Sequence, residues 1–330
     1  MILVTGATGH IGNVLCRRLV EQGEKVRALV WRGEDTTSIK DLPLEMVEGD
    51  VLEIDSLKAA LKDVKTVFHL AGIISIMPGE NPFVKQVNVQ GTRNILAAAT
   101  QARVRRLVYT SSIHAIRRAP HGMVIDETLP FDMDNPYGAY DCSKAEASLE
   151  VLKAASQGLD AVIVCPTGVI GPYDFRGSEL GEVIRGAVEA KPMFYVEGAY
   201  DFVDVRDVVE GLLLAARKGR RGESYILGGN RISVRYLIQT VREVTGKAFA
   251  SIKIPFSLAE FAAKFTPWYY RRTRAKPRFT PYSLEVLQSN SHISHKKAEK
   301  ELGYHPRPAF ETIADTVRWF FERRKRKATT

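Results

Sequence analysis

The chain has 330 residues with a formal net charge of +9; 45% are hydrophobic and 26% charged, as is typical of a globular protein with a large core. Its three cysteines, Cys16, Cys142 and Cys165, cannot pair evenly and lack metal-ligand spacing, so we expect no metal site and a reducing, cytoplasmic setting. No apolar run approaches the ~20 residues that span a bilayer, and the opening MILVTGATG is typical of a strand and turn rather than a signal peptide.

Short runs rich in β-branched residues alternate with helix-like stretches through the first 230 residues. The predicted strands are 2–6, 25–30, 44–50, 66–72, 106–112, 161–166 and 223–229. Helical patterns lie between them, for example at 11–22 and 94–102. This alternation predicts the α/β class, with a Rossmann-type doubly wound parallel sheet and helices on both of its faces.

The first strand runs into TGATGHIG (5–12), in which Gly6, Gly9 and Gly12 follow the spacing G-x-x-G-x-x-G. Glycine is needed here because the backbone must turn tightly and let a pyrophosphate approach the N-terminus of the following helix. In a strand–turn–helix context the motif predicts a dinucleotide site. We expect the other loop residues to contact the coenzyme too, namely Thr8, His10 and Ile11.

The end of the second strand bears on the choice of coenzyme. An acidic residue there would accept hydrogen bonds from the adenosine ribose and favour NAD. The chain instead has Trp31 and Arg32, and the Arg32 guanidinium can meet a 2′-phosphate through charge-assisted hydrogen bonds. This favours NADP, with NAD as the alternative.

Later strand ends supply further predicted coenzyme contacts, because the carboxyl ends of parallel strands meet at one edge of the sheet. These residues are Asp50, Val51, Leu70, Ala71, Gly72, Asn88 and Thr110. Ser112 closes the fifth strand in TSS (110–112) and can hold a substrate oxygen beside the coenzyme.

The stretch PYGAYDCSK (136–144) carries a tyrosine and a lysine at helical spacing. Tyr140 and Lys144 are four apart and share one helix face, whereas Tyr137 lies about 10 Å from Lys144 along the axis. A nearby ammonium lowers the pKa of a tyrosine, which is ordinarily about 10, so we expect Lys144 to tune Tyr140. Tyr140 is therefore the predicted proton donor or acceptor.

Beyond residue 230 the alternation loosens. An amphipathic helix is predicted at 233–246, and the aromatic stretch 256–270 follows. Two interpretations of the stretch stay open: an apolar lid over a substrate pocket, which we favour, or an interfacial helix. The predicted division is a dinucleotide-binding domain at 1–165 and 196–229 and a smaller C-terminal substrate lobe at 166–195 and 230–330.

The basic excess belongs to the C-terminal part, where residues 247–330 hold 18 Lys and Arg against 7 Asp and Glu. It is densest in RRTRAKPR (271–278) and RRKRK (323–327). A solvated surface is the ordinary interpretation, and weak peripheral contact with an acidic surface such as anionic lipid is the alternative. We expect a small-molecule substrate and no nucleic-acid partner.

Taken together, these motifs resemble the extended short-chain dehydrogenase/reductase superfamily, in its NAD-dependent epimerase/dehydratase group and its dihydroflavonol-reductase-like branch. The resemblance implies that Ser112, Tyr140 and Lys144 form a catalytic triad, in which Lys144 also binds the nicotinamide ribose. It implies that PTGVIGP (166–172) passes the nicotinamide end of the coenzyme, and it suggests a homodimer. The expected contacts in that segment are Pro166, Thr167, Gly168 and Val169.

Departures from the wider group help to choose the chemistry. Ile113 and His114 follow the triad serine where dehydratases of the group place an acid pair, so water elimination is not expected. Tyr200 and Cys165 stand where sugar-nucleotide members carry arginines, which weakens that assignment. Loop residues His114 and His121 are interpreted as solvent-facing.

The predicted function is an NADP-dependent oxidoreductase that transfers hydride between the nicotinamide and a carbonyl or alcohol of a hydrophobic small molecule. That substrate is expected to be dihydroflavonol-like or of the 3β-hydroxysteroid type. Two alternatives stay open: a sugar-nucleotide epimerase that retains NAD, and a non-catalytic sensor that binds the dinucleotide.

Overall fold

A seven-stranded parallel sheet forms the centre of the molecule. The computed structural model describes residues 1–189, 192–273 and 280–329. Its strands are β1 (Ile2–Thr5), β2 (Val26–Val30), β3 (Glu45–Glu48), β4 (Thr66–His69), β5 (Arg106–Thr110), β6 (Ala161–Pro166), β7 (Gly168–Ile170), β8 (Met193–Tyr195), β9 (Ala199–Asp204), β10 (Ser224–Leu227), β11 (Asn230–Ser233) and β12 (Ser251–Lys253). The large sheet has the order β10-β6-β5-β4-β1-β2-β3 and takes one strand from each of the seven predicted runs. The predicted α/β class and parallel sheet are confirmed.

The helices follow the strands in alternation through the first two thirds of the chain. They are α1 (His10–Glu21), α2 (Ile54–Ala60), α3 (Pro82–Lys85), α4 (Gly91–Gln101), α5 (Ala139–Ser156), α6 (Glu179–Val188), α7 (Val205–Lys218), α8 (Val234–Thr245), α9 (Phe256–Ala263), α10 (Thr266–Thr273), α11 (Pro281–Gln288), α12 (Lys296–Leu302) and α13 (Ala309–Thr329). A π-helical turn at Gln86–Gln90 joins α3 to α4, and a 3₁₀ turn at Ile113–Ala115 follows β5. The aromatic stretch predicted at 256–270 is split between α9 and α10.

Both faces of the sheet are covered because successive strand residues point to opposite sides. Leu3 packs on the face that carries α2, α4 and α5, whereas its neighbour Val4 packs on the face that carries α1 and α7. Val67 and Phe68 in β4 divide in the same way. Full burial of each such side chain contributes about 1.5–3 kcal/mol, so the alternating apolar runs stabilise both layers at once.

The chain reverses its direction of travel across the sheet between β1 and β4. From β1 it builds outward through β2 and β3, and it then crosses back to β4 on the other side of β1. Ligands of such sheets bind in the crevice outside the carboxyl ends of the strands at this reversal. The predicted coenzyme residues of β1 and β4 flank that crevice.

A smaller group of elements packs beyond these strand ends. It contains a three-stranded sheet of order β11-β9-β7 and the strand pair β12-β8. Its core is formed by α6, α8 and α13, with Ile184, Leu237 and Val317 among the buried residues. Helix α12 packs instead on α7 and β10 beside the large sheet. The division into two domains at the boundaries given above stays a prediction.

The basic run 271–278 is described only through Thr273, so residues 274–278 lie outside the described part of the chain. No helix in the described ranges combines the length and the apolar character that crossing a membrane requires.

Two glycines of the first loop are required by close backbone packing. Gly6 has φ +69°, and a Cβ there would lie 2.7 Å from the amide nitrogen of Ala71. A Cβ on Gly12, within α1, would lie 2.1 Å from the carbonyl oxygen of Gly6. A Cβ atom does not approach backbone atoms of other residues so closely. A side chain at either position would therefore push the loop away from the sheet.

Substitution of Gly12 by alanine should therefore destabilise the protein, although alanine favours helix in general. We expect Gly12→Ala to lower the free energy of unfolding by about 2 kcal/mol or more, since the loop must shift. Gly186→Ala is the matched control, because Gly186 also lies within a helix but has open space around its Cα. It should raise stability by about 0.5–1 kcal/mol. Urea unfolding followed by circular dichroism measures both changes, and equal effects would contradict the packing argument.

Candidate active site

The loop between β1 and α1 has the features of a phosphate-binding turn. Gly9 is the N-cap residue of α1 and provides no side-chain cap, so the first backbone N–H groups of the helix are left for an external acceptor. The Gly9 amide donates to the carbonyl of Gly6 at 3.1 Å, which closes the turn. The positive end of α1 thus faces the crevice at the strand ends.

Side chains deeper in the crevice fit a dinucleotide as well. The Thr110 hydroxyl at the end of β5 is buried and has no hydrogen-bond partner among the described residues. The Cα of Gly72 borders the same space, since a Cβ there would lie 3.4 Å from the Lys144 ammonium nitrogen. A glycine cradle, an uncapped helix, a free hydroxyl and a buried ammonium are groups that bind phosphate and ribose oxygens.

Tyr140 and Ser112 meet at the carboxyl end of β5. Tyr140 lies in the first turn of α5, and Ser112 is a buried residue two positions beyond the end of the strand. The Ser112 hydroxyl lies close enough to the Tyr140 phenol to act on its pKa. A substrate oxygen placed between these two hydroxyl groups would contact both.

The protein's own groups raise the pKa of Tyr140. Burial is the largest cause of the rise, the Ser112 hydroxyl opposes it and the Asp141 carboxylate adds to it, so that the pKa of Tyr140 reaches about 12. The expectation that Lys144 lowers this pKa is therefore not met by the protein alone. The reason is that removing the phenolate from water outweighs the favourable contacts around it.

Lys144 lies on the same face of α5, one turn after Tyr140. Its side chain is buried, and its ammonium donates to the carbonyl oxygen of Thr110 at 2.8 Å. The ammonium also lies 5.0 Å from the centre of the Tyr109 ring. Burial lowers the pKa of Lys144 to about 8, which brings its loss of charge close to neutral pH.

Asn88 lies in the π-helical turn, and protein partners use its side chain. Its amide oxygen accepts from the Ile73 N–H at 2.7 Å, and its amide nitrogen donates to the Ile73 carbonyl at 3.0 Å and to the Ser143 hydroxyl at 2.9 Å. Asn88 thereby joins the segment after β4 to α5. This arrangement aligns Gly72 with Lys144.

The remaining predicted contacts lie at the strand ends, as expected. Asp50 caps its own turn by accepting from Leu52 N–H at 2.9 Å, and Val51 is buried against Gly91. The amides of Leu70 and Ala71 donate to the Thr5 hydroxyl at 3.2 and 3.1 Å. That these four residues contact the coenzyme stays a prediction.

The segment after β6 continues the same edge. The Thr167 amide donates to the Leu227 carbonyl at 3.3 Å, and Pro166 is the last residue of β6. Gly168 and Val169 belong to β7, where they pair with β9. This stretch carries the chain from the large sheet into the smaller group of elements.

The segment after β2, which bears on the choice of coenzyme, contains a carboxylate that the sequence pattern did not indicate. Trp31 and Arg32 are exposed at the end of β2, and no ion pair to Arg32 occurs within the described ranges. Glu34, two residues later, turns back to accept from the Thr8 hydroxyl at 2.5 Å and from the Trp31 amide at 3.1 Å. Arg176 donates to Glu34 at 2.6 Å and to Thr8 at 2.5 Å. A carboxylate and a guanidinium therefore both lie beside the glycine loop.

A cavity of about 570 Å³ adjoins the Ser112 side of the site. It lies between the 3₁₀ turn after β5 and the helices α9 and α11. Its apolar and aromatic lining comprises Ile113, Ile116, Ala119, Pro120, Ile125, Tyr137, Tyr200, Phe256, Pro281, Leu284 and Ile293. Its polar lining comprises His114, Arg118, His121, Glu260, Glu285, Gln288, Ser289 and Asn290.

The pocket-lid interpretation of the aromatic stretch holds for Phe256, which lines this cavity. It does not hold for Phe261, Phe265, Trp268 and Tyr269, whose side chains are all more than half exposed.

A buried charged cluster supports one wall of the cavity. The Asp141 carboxylate, next to Tyr140 in the chain, is fully buried and accepts from the Tyr282 hydroxyl at 2.8 Å. Arg118 pairs with Asp141 at 3.3 Å and also with Glu285, and its guanidinium lies 3.6 Å from the centre of the Tyr137 ring. The cluster fixes the start of α5, and with it the direction of the Tyr140 side chain.

His114 belongs to this wall, so its interpretation as solvent-facing is wrong. Its ring stacks on Tyr200 at a centroid distance of 5.9 Å, and its Nδ1 lies 4.0 Å from Asp141. Burial lowers the pKa of His114 and the Asp141 carboxylate opposes that shift. No periodicity around His114 indicates this inward orientation, whereas His121 is exposed as expected.

Comparison with known proteins places this geometry in context. The model of the NAD dependent epimerase/dehydratase family matches residues 2–228, from β1 through β10. The chain is 37% identical to sterol demethylase protein B of Methylococcus capsulatus over 97% of this chain and 98% of that protein. It is 34% identical to a putative dihydroflavonol 4-reductase of Synechocystis, over 96% and 93% of the two chains. The crystal structure of gox2253 has 35% identity and a TM-score of 0.84, over 98% of each chain.

Proposed function

The chain belongs to the NAD-dependent epimerase/dehydratase family, and from this premise we propose that it transfers hydride between NADP and a carbonyl or alcohol of a hydrophobic small molecule. That it is an oxidoreductase follows from the reductases and dehydrogenases among its relatives. The observation that carries the finer proposal is the meeting of Tyr140, Ser112 and Lys144 at the end of β5.

The coenzyme, when bound, supplies or accepts the hydride. The glycine loop and the N-terminus of α1 would hold its pyrophosphate, and Lys144 with Thr110 would hold the nicotinamide ribose. Ser112 would orient the substrate oxygen by hydrogen bonding. Tyr140 would donate its proton to that oxygen in reduction and accept it in oxidation.

Lys144 would stabilise the phenolate that remains once Tyr140 has given up its proton. The ammonium is one turn away on the same helix face, and the buried setting strengthens any attraction between the two charges. A raised Tyr140 pKa suits the reductive direction, because the phenol stays protonated through the neutral range and is ready to donate.

The cavity lining and the names of the relatives support a class of substrate. Apolar and aromatic side chains predominate among the lining residues, as in sites for flat apolar ligands. The relatives include proteins named for sterols and for dihydroflavonols. Tyr200 occupies the position at which the family resemblance implies an arginine in sugar-nucleotide members, and its ring stacks on His114. These features favour a steroid-like or polyphenol-like carbonyl compound over a sugar nucleotide.

The test of the proton donor is the variant Tyr140→Phe. We expect it to lower kcat by about 10²–10⁴-fold, since the proton transfer is lost, and to leave the Kd for NADPH nearly unchanged. Turnover is followed by the loss of NADPH absorbance with a panel of steroidal ketones and dihydroflavonols, and binding by coenzyme fluorescence. Tyr236→Phe, on the exposed surface of α8, is the matched control and should behave as wild type. Full turnover by Tyr140→Phe would exclude the assigned role.

The pH dependence should report Lys144 rather than Tyr140. The Lys144 pKa of about 8 means that the ammonium is charged below this pH and neutral above it, whereas Tyr140 stays protonated up to about 12. We expect kcat/KM for reduction to be constant below about pH 8 and to fall about tenfold per unit above it. Lys144→Arg, if active, should lose this decline because a guanidinium keeps its charge. A wild-type rate that stays constant to about pH 10 would contradict the role given to the ammonium.

The coenzyme preference is tested at the end of β2. We expect Arg32→Ala to raise the KM for NADPH about tenfold, the equivalent of ~1.4 kcal/mol, and to leave the KM for NADH unchanged. Glu34→Gln should move the preference further toward NADPH, because it removes a negative charge beside the phosphate-binding loop. Arg217→Ala is the control, because Arg217 is also an exposed arginine but lies on α7. Equal effects of Arg32→Ala on both coenzymes would mean that Arg32 does not meet a 2′-phosphate.

A further inference from the structure

Beyond Phe256, which lines the cavity, helix α9 has small residues on its inner side and large apolar residues on its outer side. Ala259 and Ala263 are buried against Leu284 of α11, at 3% and 0% exposure. Leu258 and Phe261, on the outer side, are 58% and 61% exposed. Helices in water normally bury their large apolar residues, so this face is matched to an apolar environment outside the protein.

Helix α10 extends the exposed surface. Phe265, between the two helices, is 58% exposed and contacts Phe261 edge to face at a centroid distance of 5.3 Å. Trp268 is 68% exposed and Tyr269 is 51% exposed. We name Leu258, Phe261, Phe265, Trp268 and Tyr269 the aromatic face. A contiguous apolar surface of this kind marks an interaction site.

Cations border the aromatic face. Lys264 follows α9, and Arg271 and Arg272 lie in the last turn of α10, all three exposed. No salt bridge neutralises them among the residues that the structure describes. Between 256 and 273 the sequence has a single acid, Glu260, an exposed residue that also lines the cavity. The surface thus combines apolar aromatic side chains with unneutralised positive charge.

We propose that the aromatic face binds the surface of an anionic lipid bilayer. Tryptophan, tyrosine and phenylalanine insert at the boundary between headgroups and acyl chains, and adjacent lysines and arginines are attracted to anionic headgroups. A second copy of the chain is the poorer occupant. A two-fold contact would place two surfaces of the same positive charge against each other.

The position of the face gives membrane attachment a consequence for the substrate. Phe256 and Glu260 of α9 line the cavity, and Leu284, on which α9 packs, lines it too. The helix that would rest on the bilayer is therefore also a wall of the substrate cavity. A lipophilic substrate would then enter the cavity from the bilayer. This route rests on the proposed function, whereas membrane attachment does not.

Vesicle co-sedimentation of the full chain tests the attachment. Wild type should sediment with vesicles of phosphatidylcholine and phosphatidylglycerol and much less with phosphatidylcholine alone. The triple variant Phe261→Ser, Phe265→Ser, Trp268→Ser should lose at least tenfold in apparent affinity, and Lys264→Glu with Arg272→Glu should lose the preference for anionic lipid. Phe83→Ser with Phe310→Ser removes exposed aromatic side chains elsewhere and is the matched control. Circular dichroism and the midpoint of thermal unfolding verify that each variant is folded.

Three results would overturn the proposal. One is wild type that does not sediment with anionic vesicles, and another is a triple variant that binds as wild type does. The third is an oligomer, seen by light scattering, that the triple variant converts to monomer, because the face would then join two copies. Sedimentation is measured without substrate or coenzyme, so a failure of the proposed hydride transfer leaves its outcome unaffected.

Discussion

The hydrogen bond from the Lys144 ammonium to the Thr110 carbonyl is the interaction on which the site depends. It ties the first turns of α5 to the end of β5 at 2.8 Å, and Ser112 lies two residues beyond that strand end. The phenol of Tyr140 is thereby held where Ser112 can reach it. A buried ammonium requires such a partner, since desolvation without one would be costly. The contact is available because parallel strands deliver their carboxyl ends to one edge, where the glycine loop also lies.

The sequence was sufficient for local features and insufficient for distant contacts. Each β-branched run became a strand because alternating burial on two helix-covered faces follows from period two, and Tyr140 with Lys144 could be paired because helix spacing fixes a shared face. Arg176 and Glu34 are separated by 142 residues, and Tyr282 and Asp141 by 141. Such pairs form only once the whole chain is folded, and no periodicity in the sequence predicts them. The same holds for His114, whose inward orientation depends on Tyr200 in a later strand.

The pKa of Tyr140 shows how burial changes an argument made from residue pairs. Pairing alone predicted a lowered value, because a cation favours the phenolate. In the folded chain the phenol is withdrawn from much of the solvent, Asp141 lies beside it, and the pKa rises instead. Burial also lowers the pKa of Lys144. Burial thus moves the two groups in opposite directions and leaves the lysine, rather than the tyrosine, as the group that titrates nearest to neutral pH.

The cavity and the aromatic face are best understood as two sides of one structural element. Close packing of α9 on α11 requires small side chains on the inner side of α9, and alanines occupy that side. Its first residue, Phe256, reaches the cavity, while Leu258 and Phe261 lie on the outer side and are exposed. A soluble substrate would require no apolar surface there, because its route to Tyr140 runs through water. A substrate that partitions into lipid is delivered most directly when the wall of its cavity rests on the bilayer, and the arrangement of α9 meets that requirement.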